Sequence, residues 1–362
     1  MRSHLQKMLA AAALAATAVA VAAGAQTAQP MTGRDPLEVA KVVAARYPAQ
    51  PIMSYIPALS WSGQLRLSAL TGDAQWREKA LKDIAAFTSG RTPAIAEPYR
   101  LTSLAGALAF ADAATLAGDK AAGELAVKVA DAMMPDEVDG SVKFVTGWTD
   151  DMFMAAAVLA RTATPPRAAA ARRLLLTYSS TLQREDGLYV HAQKGPHAWG
   201  RGNGFALLGV TEALTQLPDR LQGRDNLLPI YRRHVEALVK HQSDDGSWRQ
   251  VVDEPASYRE LTVTAMTTAA IARGISRGWI DRQTYEPIVN RGWQAVAARV
   301  NGDGTVRDVC SGTGAGPTKE YYLNRPVVNG ADDRGGAMAL LAAIEMISLK
   351  GQRGDASHHR AR

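Results

Sequence analysis

The sequence predicts an all-α fold, a closed barrel of six helical hairpins, and three observations carry the prediction. Helical periodicity dominates the 362 residues. The links between successive helices alternate between short and long. An Asp-Gly turn recurs inside the long links at about one hairpin's spacing. No stretch alternates apolar and polar residues long enough to build a large sheet, which leaves only short β pieces in the long loops.

The chain opens with Arg2 and Lys7 around a small-apolar run from Met8 to Ala23, closed by Ala23-Gly24-Ala25. That is the layout of a secretory signal peptide over residues 1–25, with a polar linker over 26–35. The run is too short and Ala-rich for a membrane anchor. The expectation is an exported protein, periplasmic or secreted, with no membrane association after cleavage. A single domain then spans 36–350, and the Gly-, Arg- and His-rich tail 351–362 reads as disordered.

Twelve helices are expected: 36–47, 58–71, 74–88, 100–117, 120–134, 148–162, 165–182, 201–216, 225–241, 258–276, 282–300 and 333–349. Asp73, Asp119 and Asp281 are capping acceptors at three starts, and Thr164-Pro165 supplies a cap followed by proline at the first helical position. The even-numbered helices are followed by short links, at 72–73, 118–119, 163–164, 217–224 and 277–281. The odd-numbered ones are followed by long links, the longest at 301–332. Six hairpins with every long loop on one end describe inner and outer rings, with function gathered on the long-loop rim.

The repeat lies in those loops. Asp139-Gly140, Asp186-Gly187, Asp245-Gly246 and Asp303-Gly304 follow one another at steps of 47, 59 and 58 residues. Asp-Gly ahead of a β-prone run reads as a tight turn into a short extended piece.

Composition removes several function classes. The formal net charge of +6 is not gathered into runs, which argues against a nucleic-acid partner. The single cysteine, Cys310, excludes an internal disulfide and a thiolate metal cluster. A metal site from His191, His197 and a carboxylate has no ligand-spacing signature. No metal or cofactor is expected.

Four clusters fall where even-numbered helices begin: Trp148-Thr149-Asp150-Asp151, His197 to Gly204, Ser257-Tyr258-Arg259-Glu260 and Gly330 to Gly336. A barrel gathers all four around one mouth. Indole faces beside carboxylates and an arginine suit a sugar. The bland alternative at each is a helix start: Thr149 or Asp150 as cap, Glu260 as a capping acid, Asp332 and Asp333 at a terminus. Asp150 and Asp151 point about 100° apart on a helix, so only one of them can face the cavity.

The ordered motifs are Trp148-x-Asp150-Asp151-x-Phe153-Met154, Trp199-x-Arg201-Gly202-Asn203-Gly204-Phe205, Ser257-Tyr258-x-Glu260-x-Thr262, Gly312-Thr313-Gly314 and Asn329-Gly330-x-Asp332-Asp333-x-Gly335. Together they resemble glycoside hydrolase family 105, the unsaturated rhamnogalacturonyl hydrolases, related to the family 88 unsaturated glucuronyl hydrolases. The resemblance implies an (α/α)6 barrel. It also implies removal of a non-reducing-end 4,5-unsaturated uronic acid, galacturonyl or glucuronyl, from lyase-produced acidic oligosaccharides. The chemistry is vinyl-ether hydration, for which one carboxylic acid suffices. Asp150 matches the family's general acid, and His191, Trp199 and Arg201 match substrate contacts. Trp148 and Trp248 are further candidate platforms, with core packing as the alternative for either. Two departures stand out: Thr102 occupies the position of a second family aspartate, and residues 135–147 hold no histidine. A polysaccharide lyase on the same barrel, or a non-catalytic glycan-binding barrel, are the alternative functions.

Overall fold

The computed structural model describes residues 34–137, 140–221 and 223–360. The expected leader and most of the linker lie outside the described residues, as does Asp139 of the first Asp-Gly pair. The first helices are α1 (Pro36–Arg46), α2 (Tyr55–Thr71), α3 (Ala74–Thr88), α4 (Leu101–Leu104), α5 (Ala107–Ala117), α6 (Lys120–Met133) and α7 (Asp150–Arg161). They continue with α8 (Pro165–Leu182), α9 (Gly200–Gln216), α10 (Leu227–Val239), α11 (Leu261–Ser276), α12 (Arg282–Ala297), α13 (Lys319–Leu323) and α14 (Asp333–Arg360).

Packing sorts them into two rings. Helices α2, α5, α7, α9, α11 and α14 touch in that order, and α14 returns to α2, so the inner ring closes. Helices α1, α3, α6, α8, α10 and α12 stand outside it. The sequence carries this division. Helix α11 is buried from Leu261 to Ile275 and α7 from Asp151 to Ala160, on every side. The outer α6 buries a single stripe: Ala122, Ala126, Val129, Ala130 and Met133. All-round burial belongs to an inner helix and a stripe to an outer one. Each inner helix begins on the long-loop rim and ends at the opposite base.

The caps expected at Asp73, Asp119 and Asp281 form, accepting from the backbone N–H groups of Gln75, Ala122 and Thr284. Thr164 makes no side-chain cap bond, and Pro165 alone starts α8. The helix expected over 100–117 is broken into α4 and α5 at Ala105–Gly106, where Gly106 leaves room for the Met53 side chain. The helix expected from 258 begins at 261. Arg259–Glu260 forms strand β2, pairing antiparallel with β1 (Trp248–Arg249). Strands β3 (Val306–Cys310) and β4 (Val327–Gly330) pair likewise in the longest link. At the C-terminus, α14 runs on to Arg360, where the sequence suggested a disordered tail after Lys350. The start of this extension is anchored by Gln352, which donates to the Ser276 carbonyl and accepts from Arg282.

The repeat is real at the level of single bonds. Asp186, Asp245 and Asp303 each accept from the backbone N–H two residues on, at 3.0, 3.1 and 2.9 Å. The glycine that follows each has φ of 92°, 86° and 82°, a conformation glycine adopts without steric cost. Three hairpins thus close with one turn.

At the base each inner helix contributes one charge, and the signs alternate around the ring: Arg66, Asp112, Arg161, Glu212, Arg273, Glu345. Arg161 lies 2.8 Å from Asp112 and 2.6 Å from Glu212. Arg273 bridges Glu212 and Glu345, and Arg66 meets Glu345 at 2.6 Å. Ser62 completes Asp112. Arg161 and Arg273 also sit in the last turns of α7 and α11, where positive charge offsets the helix dipole. A cavity of about 450 Å³ opens beneath the ring.

Candidate functional site

The rim site is assembled from backbone outward. The Thr149 N–H donates to the His191 carbonyl at 2.9 Å, and Trp148 bridges to Ala192. These bonds pin the start of α7 to the segment after the Asp186-Gly187 turn. Behind them, Asn203 ties three pieces together. Its amide donates to the carbonyls of Tyr189 and Trp199, and its oxygen accepts from the Tyr189 N–H and from His234. Burial lowers His234 to about 3, so the ring stays neutral and donates to Asn203 from Nε2. The asparagine of the Trp-x-Arg-Gly-Asn-Gly segment is therefore a staple.

The two aspartates separate as helical geometry requires. Asp151 is buried and accepts from the N–H groups of Thr146 and Gly147 and from the Tyr178 hydroxyl, at 2.7, 2.9 and 2.7 Å. Burial pushes its carboxyl up, against those donors. It fastens the loop entering α7. Asp150 turns to the rim, keeps 16% of its side chain exposed, and meets His191 Nε2 at 3.2 Å through Oδ2.

His191 is fully buried in a cage of three aromatic rings. Trp199, Trp148 and Tyr322 surround it at centroid distances of 4.4, 5.3 and 5.8 Å. Both ring nitrogens are engaged: Nε2 with Asp150, Nδ1 with the Tyr322 hydroxyl at 2.9 Å. Arg201 lies over the Trp199 indole, 4.6 Å from its centroid, and its fork spans the carbonyls of Cys310 and Ser311, each at 2.8 Å. Arg334 reaches the same Cys310 carbonyl at 3.3 Å. Burial pushes the Tyr55 hydroxyl up, while Arg334 and Arg201 beside it pull the other way.

Trp148, Asp150, His191, Trp199 and Arg201 thus come together at the rim. His191, Trp199 and Arg201 are 0, 1 and 2% exposed, with their polar edges turned to protein wherever they are bonded. They form the wall behind Asp150. Trp148 and Asp150 carry the open surface. Trp248 does not belong to the site. It is fully buried in the core, its indole N–H donating to the Leu238 carbonyl at 2.7 Å, because β1 directs it under α11 and away from the rim. Glu260 takes its bland role. It caps α11 at Val263 and holds the Cys310 N–H, each at 2.8 Å. Asp332 caps α14 at Gly335. Thr102 is exposed on α4, which packs on α7.

Tyr322, Tyr55 and Arg334 were not singled out. Tyr322 comes from the short helix α13, whose only sequence signal is the Thr318 cap that accepts from Tyr321. Tyr55 lies three residues before the expected start of its helix, and Arg334 sits inside a cluster that reads first as a helix terminus.

Comparison with known proteins agrees with this architecture. An unsaturated 3S-rhamnoglycuronyl hydrolase of Alteromonas sp. (strain LOR) is 30% identical over 155 residues, 42% of this chain and 36% of that protein. A second, from Formosa agariphila, is 28% identical over 181 residues, 44% of this chain and 48% of the other. The matched stretch therefore spans less than half the length of either relative. The solved structure of a possible member of glycoside hydrolase family 105 from Salmonella enterica serovar Paratyphi A superposes with a TM-score of 0.77 at 20% identity. It covers 88% of this chain and 96% of that one, a likeness of fold. The model of glycosyl hydrolase family 88 matches residues 28–350, almost the whole chain, and the chain belongs to that family.

Proposed function

We propose that the chain removes a 4,5-unsaturated uronic acid from the non-reducing end of lyase-produced oligosaccharides, with Asp150 as the acid. The observation that carries this reading is the setting of Asp150. It is a partly exposed carboxyl on the rim, backed by a buried histidine in an aromatic cage, beside the half-buried indole of Trp148. Asp150 donates its proton to C4 of the double bond, and positive charge develops at C5 and the ring oxygen. Water adds its oxygen at C5 and returns a proton to Asp150. The resulting hemiketal opens, its C1–O bond to the next sugar breaks, and the ring becomes a keto-aldehyde. No second carboxylate is required, unlike displacement at an anomeric carbon. Thr102, standing where the family's second aspartate is expected, is compatible with that economy.

The inner helices all present their N-termini to the rim, and their summed dipoles favour the uronate carboxylate there. Trp148 offers the stacking face. The names of the rhamnoglycuronyl hydrolase relatives support an acidic, unsaturated substrate. We also propose export, through a leader over residues 1–25, on the charge and small-residue pattern of that segment.

The test is optical. Incubation with lyase-digested pectin, ulvan and glycosaminoglycan fragments should erase the ultraviolet absorbance of the conjugated double bond on at least one of them. A gain of absorbance on intact polysaccharide would mark a lyase instead. Binding without any change in absorbance, unaffected by Asp150→Asn, would leave a glycan-binding barrel.

A further inference from the structure

Tyr322 contacts the His191–Asp150 pair from far along the chain, 131 residues from His191. Helix α13 is held over the mouth by its own contacts. The Gly314 N–H donates to the Tyr321 hydroxyl at 3.0 Å, and Arg325 lies over the Tyr321 ring. Tyr322 itself is fully buried, its ring against His191 and His197. Its hydroxyl meets His191 Nδ1 at 2.9 Å. Gly195 lies so close beneath that hydroxyl that a Cβ there would collide with it.

The direction of each bond follows. Among the described residues His191 Nδ1 is the one acceptor within hydrogen-bond distance of the Tyr322 hydroxyl, so the hydroxyl proton goes there, and the Asp150 oxygen opposite Nε2 is left to accept. A neutral imidazole that accepts at Nδ1 carries its hydrogen on Nε2. That hydrogen points at Asp150 Oδ2. We propose that Tyr322 is a positioning residue, acting through His191. It fixes the Nε2–H tautomer, so that Oδ2 of Asp150 is always the accepting oxygen and Oδ1 is the one that carries the transferable proton. An imidazole free to change tautomer would accept from Asp150 as readily as donate to it, and the acid would lose its proton to the histidine edge. Asp150 thereby presents its proton on one side only. The kinetic part of the proposal rests on the hydrolase reading given above; the tautomer does not.

The experiment uses full-length protein labelled with ¹⁵N in its histidine rings, with His191 assigned by its absence in His191→Gln. Wild type should give the neutral Nε2–H pattern. Tyr322→Phe removes only the hydroxyl and should release His191 into a mixture of tautomers. Gly195→Ala, which displaces the hydroxyl without removing it, should do the same. On an unsaturated disaccharide, Tyr322→Phe should lower kcat about tenfold with KM within about twofold, the scale of one lost hydrogen bond. A wild-type His191 protonated at Nδ1 overturns the proposal. So does a Tyr322→Phe protein with an unchanged tautomer and unchanged kcat. If Tyr322→Phe does not fold, the wild-type tautomer and Gly195→Ala still decide the matter. If wild type cleaves none of the fragments, the reading of its function fails while the tautomer measurement stands.

Discussion

The same six inner helices end in opposite electrostatic arrangements. At the base, three arginines and three acids alternate and are joined by five close ion pairs, and Glu212 is held down to about 2 by Arg161 and Arg273 against the cost of its burial. At the rim, Asp150 faces a histidine that aromatic rings enclose, and among the described residues its Oδ1 has no hydrogen-bond partner. Where charges neutralise one another, the structure gains definition and no group is left to react. Where a carboxyl meets a single histidine nitrogen at 3.2 Å, it stays open to a ligand. Both ends cost the fold desolvation, and only the base recovers it through ion pairing.

Substitutions should separate the ends, beginning with the largest effect. Arg273→Met leaves Glu212 and Glu345 short of a partner and should cost about 3–5 kcal/mol in urea unfolding. Trp248→Ala, in the apolar core, should cost a similar amount. A loss under about 1 kcal/mol from Arg273→Met would show that the ring does not hold the base together. Asp150→Asn should lower kcat by roughly 10²–10⁴-fold while the unfolding midpoint stays near wild type. If rate and stability fall together, the contrast between the ends collapses.

Acid should act first on the base. The folded-state value of Glu212 lies below its unfolded value of 4.5, so its contribution is complete above pH 4.5 and is lost as pH falls toward about 2. Urea midpoints measured across that window should decline in wild type and decline less steeply in Glu212→Gln. The smallest effect is expected at Trp148. Its truncation to alanine should raise KM by about three- to tenfold, the worth of one stacking contact, with kcat little changed. An unchanged KM would remove the platform from the site.

The fold was legible because it is written locally. Helical stripes, caps at Asp73, Asp119 and Asp281, and the Asp-Gly turns each lie within a few residues of chain. Asp150 was singled out by the family resemblance, since the 100° between neighbouring helical residues says only that one of the two aspartates faces the cavity. The failures are non-local. Trp248 and Trp148 look alike in sequence, and only the strand pairing of β1 with β2 sends one to the core. Tyr322 reaches His191 through a loop whose path no periodicity records. The base ring joins charges on six helices between Arg66 and Glu345, each of which reads as a single polar residue in an apolar segment. Arg201 was expected to bind substrate, and the carbonyls it holds belong to a strand end more than a hundred residues away.

The alternation of signs around the base has an arithmetic consequence. A ring in which every neighbour differs in sign can close only over an even number of members. Loss or gain of one hairpin would force two like charges side by side in a buried place. The base therefore acts as a parity check on the number of hairpins, independent of where the chain begins. A circular permutant opened in the 217–224 link preserves the cyclic order and should keep every pair, whereas deletion of any one hairpin cannot.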